Sequence, residues 1–304
     1  MRLGSFQRNT GEQGPRVGLF LDDGVVDVGR ANPDIPSDVR GILAGGERQL
    51  AALEAILSQH QKGALPQDAF VPFDQLRFRP PVRPGKIICV GGNYEDYRRI
   101  LKLPDLPVPA FFLKSPDAVI AHDEEVQIPE GYGIFYQEWE LSCVIGRQCR
   151  RVSEQEARDC IAGYTIVNDI TGHTLETLGP RPYHMLGKNM DTFAPIGPWI
   201  VARDSLAKDV YQLRARRWRN NELVCESSTR EMRRSFEEII VYVSNFMTLY
   251  PGDIVTGASP PAGPIEPGDV IEVEFEAVGR LRNTVGRADA DPIYGERIGI
   301  ASGK

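Results

Sequence analysis

The sequence predicts an α+β fold, mainly β, with a large strand-rich body behind a small N-terminal α/β unit. Three observations predict it. Short β-branched and aromatic runs recur along the chain, while few stretches carry helical periodicity. Turn formers are dense, with 30 glycines and 23 prolines. Strands and helices do not alternate in the regular way that a doubly wound parallel sheet requires.

Residues 1–77 form the N-terminal unit. Strand-like runs at 16–21 and 25–28 flank Asp22-Asp23-Gly24, a hairpin signal. Residues 47–61 place apolar side chains at 50, 53, 56 and 57, the period of an amphipathic helix whose His60 should stand in water. Pro80, Pro81 and Pro84 stiffen a linker, and the second unit, 78–304, starts there. Residues 87–90 and 111–113 are strands. Ser153 and Glu156 make a capping box, and the helix it opens should stop near Gly163. Residues 164–171 are again strand. A second capping box, Ser235 with Glu238, opens a helix that Pro251-Gly252-Asp253 ends. Strands at 254–256, 270–278 and 281–285 complete the chain. Gly91-Gly92-Asn93 follows a strand but lacks the third glycine and long helix of a dinucleotide loop.

Composition removes several function classes. The net charge of −7 gives no counterion release on nucleic acid and no attraction to an anionic membrane. No run approaches the ~18 apolar residues of a membrane span. The N-terminus has no apolar signal core, and the five cysteines include no C-x-x-C pair. The expectation is a cytoplasmic enzyme with reduced thiols and a small-molecule substrate.

Glu138-Trp139-Glu140 opens an otherwise apolar strand. Residues i and i+2 of a strand share a face, so the two carboxylates stand side by side. Their repulsion and desolvation are costly, and a hard dication relieves both. Asp169 offers a third oxygen from a neighbouring strand, a donor set that suits Mg²⁺ or Mn²⁺. Spacing alone does not decide the matter. Glu272, Glu274 and Glu276 alternate in the same way, as on a half-solvated antiparallel strand.

The order of motifs from Lys86 to Val285 resembles the fumarylacetoacetate hydrolase superfamily. Lys86-Ile87-Ile88-Cys89-Val90-Gly91-Gly92-Asn93-Tyr94 is similar to its entry strand and lid start, and the segment ending in Leu113-Lys114 follows. Glu138-Trp139-Glu140-Leu141 resembles the family's E-x-E-L strand, and the run ending in Asn168-Asp169 its third-ligand strand. The segment from Gly187-Lys188 to Pro195 resembles its G-K-x-x-D-x-F-x-P loop, and Thr256-Gly257 its T-G strand end. The resemblance implies a mixed β-roll, a homodimer, and Mg²⁺, or Mn²⁺ or Ca²⁺, on Glu138, Glu140 and Asp169. It implies 2-oxo or 2,4-dioxo acid substrates. Lys188 would add positive charge beside the metal, where negative charge develops as the bond at C3 breaks. Thr256 would bind the substrate carboxylate, with Tyr94 and Lys114 in the pocket wall.

Two departures bear on the reaction. Family hydrolases carry a lid histidine and glutamate that activate water; here those positions are Tyr97 and Ile100. After Asp169 the family's arginine and aspartate become His173 and Thr174. His173, or His184 before the Gly187-Lys188 loop, is then the candidate base. The expected activity is metal-dependent C–C cleavage of an acylpyruvate-type acid. The alternatives are decarboxylation, tautomerisation or hydration of a related acid, and an inactive metal- or ligand-binding module.

Overall fold

The β-branched runs form two sheets in this computed structural model, which describes residues 1–10, 14–177 and 184–288 and, of His184, the backbone alone. The chain opens with β1 (Arg2–Arg8), β2 (Arg16–Phe20) and β3 (Gly24–Asp27), the last two joined by the expected turn. Helices α1 (Val28–Ala31), α2 (Val39–Ala44) and α3 (Gly46–Gln61) follow. α3 buries Leu53 and Ile56, as its period requires. His60 is half-buried and stacks on Phe70 at 5.7 Å; its apolar ring face, not water, decides its place. β4 (Phe70–Pro72) and β5 (Leu76–Arg79) close this layer, and the 77/78 boundary falls within β5. Asp27 ties the layer together. Its buried carboxylate accepts from Arg8, Arg16 and the Arg30 backbone N–H.

After the prolines come β6 (Ile87–Gly91), α4 (Glu95–Leu101), β7 (Ala110–Lys114), β8 (Val119–Ile120) and β9 (Glu125–Pro129). The longest strands are β10 (Phe135–Ile145) and β11 (Ile161–Gly172). Between them lies α5 (Glu154–Cys160), with its capping box formed. It stops at Cys160 rather than near Gly163, because Ile161 enters β11 at once. α6 (His173–Glu176) and α7 (His184–Lys188) lead to β12 (Ala194–Ala202). The last elements are β13 (Arg214–Arg219), β14 (Glu222–Ser228), the capped α8 (Phe236–Ser244), β15 (Ile254–Thr256), β16 (Gly263–Ile265), β17 (Val270–Phe275) and β18 (Gly279–Ala288).

The larger sheet runs β4-β3-β2-β1-β12-β11-β10-β15-β6-β7, with β5, β8 and β16 paired at its flanks. The smaller runs β14-β13-β17-β18-β9. Both are mixed, because β15 lies parallel to β6 and β9 parallel to β18. The fold is therefore α+β and mainly β, as expected. β1 pairs with β12, so the N-terminal strands continue the larger sheet. Between the sheets, Trp139, Leu141 and Cys143 of β10 share one core with Ala215, Val273 and Phe275. That core fixes the back of β10 and leaves its other face for chemistry.

Close approach is strictest where β11 meets β12. A Cβ on Gly163 would stand 2.2 Å from the Val201 carbonyl oxygen and 2.9 Å from Ile200 Cγ2. Backbone cannot yield as a flexible side chain does. Gly163→Ala is expected to lower the unfolding free energy by about 1–3 kcal/mol, measured from urea midpoints at an unchanged m-value.

Candidate functional site

Strand register assembles the site. Glu138 lies directly opposite Asp169, and Tyr136 opposite Thr171. Opposed residues of an antiparallel pair share a face, so Tyr136, Glu138 and Glu140 meet Asp169 and Thr171. On the next strand Thr256 lies opposite Ser142, two residues beyond Glu140. β6 then brings Cys89, and β7 brings Lys114. Lys188 enters from the end of α7.

Two lysines grip one aspartate. The Lys188 ammonium donates to Asp169 Oδ2 at 2.7 Å, to Glu138 Oε2 at 2.9 Å and to Thr171 Oγ1 at 2.6 Å. Lys114 lies 2.7 Å from Asp169 Oδ1, outside hydrogen-bond geometry, and donates instead to the carbonyls of Ile170 and Lys188. Lys114, Glu140, Asp169 and Lys188 are all at most 3% exposed, while the Glu138 side chain is 21% exposed.

Burial sets the charges. Desolvation, then Asp169, pushes the Glu140 carboxyl well above its ordinary range. Glu138 is also raised by burial, with Lys188 pulling back. Burial works against Asp169 as well, but Lys114 and Lys188 overcome it and hold the carboxyl low. Lys188 resists its own burial through Asp169 and Glu138, and its pKa is raised well above the usual lysine value.

Among the site's buried carboxylate oxygens, Glu140 Oε2 and Asp169 Oδ1 make no hydrogen bond. Ligand atoms of Cys89, Glu140 and Asp169 all lie within 4.8 Å of one another. Buried carboxylate oxygens at that separation, that of Glu140 without a partner and that of Asp169 facing Lys114, fit a divalent cation. Burial, then Asp169 and Glu140, keeps the Cys89 thiol protonated, so the donors available to a hard ion are carboxylate oxygens. Glu138, turned here toward Lys188, borders the same space.

The other expected residues lie at different depths. Tyr94 is fully buried before α4, with a partnerless hydroxyl that burial, then Glu140, keeps protonated. The Thr256 hydroxyl accepts from the Val90 N–H at 3.2 Å and helps hold the Glu140 carboxylate. His173 is exposed, edge-on to Tyr136 at 5.0 Å, at the rim rather than among the carboxylates. The side chain of His184 lies outside the described residues. Glu95 pairs with Arg99, and Asp96 accepts from Ser227, so both fasten the lid. Sequence reasoning passed over two residues. Cys89, expected only as one of five reduced thiols, lies with Ile87 on the site face of β6. Tyr97 counted only as a missing histidine, yet it is half-buried within the fields of Glu138 and Lys188.

Residues 86–286 match the family model described as fumarylacetoacetate (FAA) hydrolase C-terminal. The chain is 31% identical over 303 residues to the fumarylacetoacetate hydrolase domain-containing protein 2 homolog of Dictyostelium discoideum, covering 94% of this chain and 97% of that protein. It is 33% identical over 297 residues to the mitochondrial oxaloacetate tautomerase FAHD2B of Bos taurus, covering 94% and 91%. Among solved structures it resembles the maleylpyruvate hydrolase from Sphingobium sp. SYK-6 in complex with manganese(II) and pyruvate. That match has a TM-score of 0.76 and 27% identity and covers 95% of this chain and 100% of that one.

The raised Glu140 carboxyl carries a stability consequence. Stability from a carboxyl raised on folding is complete below its ordinary pKa and is lost as pH climbs toward its folded value. Without metal, unfolding free energy should therefore fall as pH rises above the ordinary glutamate value of 4.5, by up to about 1.4 kcal/mol per pH unit. Glu140→Gln should flatten that slope, and so should Mg²⁺. A metal-free slope identical in wild type and E140Q would contradict the assignment.

Proposed function

The chain belongs to the fumarylacetoacetate hydrolase family, and from that premise we propose a divalent-metal-dependent enzyme that enolises a small 2-oxo acid. One observation carries the reading: a buried Glu140 oxygen without a partner stands beside Asp169 and two buried lysines. Glu138, Glu140 and Asp169 hold the ion, Mg²⁺ in the first instance, with Mn²⁺ or Ca²⁺ as alternatives. When bound, it supplies Lewis acidity toward the 2-oxo oxygen. Lys188 adds a permanent positive charge where the substrate oxygen gains negative charge. Lys114 fixes Asp169 and, through the Ile170 and Lys188 carbonyls, the backbone on either side of the site. Thr256 orients Glu140 and borders the substrate carboxylate. Tyr94 and Tyr97, both kept protonated by burial, offer hydroxyl protons from the lid side. His173, at the rim, and His184 are the candidate bases.

Tautomerisation is the favoured reaction, because a keto–enol exchange needs no activated water and the lid has Tyr97 and Ile100 in the water-activating positions. The bovine relative is named an oxaloacetate tautomerase. C–C hydrolysis of an acylpyruvate is the second reading, favoured by the likeness to the maleylpyruvate hydrolase. The five cysteines are free thiols, which suits a reducing compartment, here proposed as the cytoplasm. Among the described residues no helix is long and apolar enough to cross a membrane.

The test uses purified protein with Mg²⁺, following enol–keto exchange of oxaloacetate and pyruvate release from acylpyruvates. Glu140→Gln and Asp169→Asn should each cut turnover more than about 100-fold, beyond the loss typical of outer-shell partners, and abolish Mn²⁺ binding. Glu274→Gln, from the other glutamate row, should change neither. Full activity in chelator would sink the proposal.

A homodimer is proposed on separate grounds. β7 is one edge strand of the larger sheet, and Leu103, Leu106, Val108 and Leu113 are exposed on and beside it. Light scattering should give twice the 33.8 kDa chain mass, and Leu113→Glu should shift it toward one. A wild-type monomer at micromolar concentration would exclude this interface.

A further inference from the structure

β13 carries four arginines, and three have carboxylate partners. Arg214 faces Glu276 at 4.0 Å, Arg216 pairs with Glu274, and Arg219 lies 2.7 Å from Asp269. Arg217 has none among the described residues. It is the most buried of the four, 7% exposed, and its Nε makes no hydrogen bond. Cys225 lies beside it, but burial raises that thiol's pKa and leaves it uncharged. A guanidinium with no carboxylate partner in such a place is costly and attracts an anion.

A second orphan stands at the same spot. The Arg217 fork lies on Gly263, where a Cβ would come within 2.2 and 2.4 Å of Nη1 and Nη2. Gly263 is the cross-strand partner of Gln137. Gln137 is fully buried, and neither its amide nitrogen nor its amide oxygen has a partner. The missing side chain at 263 thus leaves room for the guanidinium beside an amide with unused donors. Gln137 immediately precedes Glu138, but its side chain points to the opposite face of β10. The lid comes close: Asp96 accepts from Ser227 on β14, Asn93 donates to the Gly257 carbonyl, and Arg217 lies within the field of Tyr97.

We propose that Arg217 and Gln137 form a binding site for a small carboxylate-like oxyanion at the edge of β16, behind the lid helix. The guanidinium supplies two parallel N–H donors and the Gln137 amide a third. The oxyanion is a free anion: Gln137 faces away from Glu138, so the site lies across β10 from the carboxylates and does not rest on the function proposed above.

The experiment compares wild type, Arg217→Met and Arg217→Lys. Inorganic phosphate and acetate, each at constant ionic strength, are scored by thermal shift, and oxalate and oxaloacetate with Mg²⁺ by calorimetry and kinetics. A free-anion site gives a thermal shift in wild type that R217M loses and R217K partly keeps. A KM for oxaloacetate at least about 10-fold higher in R217M, with no phosphate or acetate shift lost, would overturn the proposal. Because R217M removes an unpaired buried charge, its melting temperature without anions should equal or exceed that of wild type. The proposal is overturned if R217M responds to every anion as wild type does, or if it loses oxalate and oxaloacetate equally. Wild type that binds neither oxalate nor oxaloacetate would count against the metal reading, and the phosphate and acetate arms would then decide the site alone.

Discussion

A buried imbalance of charge governs this molecule. Glu138, Glu140 and Asp169 share one face of the larger sheet with Lys114 and Lys188. Three carboxylates against two ammonium groups leave one negative charge uncompensated, and Glu140 carries it. It is deeply buried, and one of its oxygens has no partner. Such a group either takes up a proton or recruits a cation. A divalent ion turns the excess into a single positive charge, a fitting environment for an anionic substrate.

The sheet makes this arrangement rigid. The pairing of β10 with β11 extends from Phe135 to Ile145, so the opposition of Glu138 and Asp169 is held by ladder bonds on either side. Lys114 joins three segments, its own strand, the end of β11 and the segment bearing Lys188. The lid is fastened no less firmly. Arg98, 7% exposed, donates to the carbonyls of Gly92 and Pro104 and to Asp105. With Asn93 and Asp96 fixed as well, the start of the lid and its return are anchored from several directions.

Much of this was legible in the sequence, and what was not has a physical reason. The strands, both capping boxes and the E-x-E pair followed from local pattern, which depends on neighbours a few residues away. The meaning of the pair did not. Glu138 and Glu140 have the same spacing as Glu272, Glu274 and Glu276, and only partners distant in sequence separate them. The second row is answered by Arg280, Arg216 and Lys208. The clue to that difference was the arginine-rich β13, whose alternation predicts cross-strand ion pairs once the two strands are known to be adjacent. Cys89 and Lys114 reach Asp169 only through the order β15-β6-β7, which no local pattern encodes. His173 adjoins the site strand in sequence, but the chain turns into α6 there and carries the ring out to the rim.

The lid's substitution then follows from the same electrostatics. Tyr97 stands within the field of Glu138, and burial followed by that field keeps its hydroxyl protonated. A histidine in such a place could take a proton from water near neutral pH; a tyrosine held in its neutral form can only donate or share one. The lid therefore carries a neutral hydroxyl, not a base, in the field of the site's carboxylate. Such a hydroxyl stabilises an oxygen that gains charge, and it leaves proton removal at carbon to another group. On the proposed function, this is why the same carboxylates and lysine suit keto–enol exchange better than the attack of water.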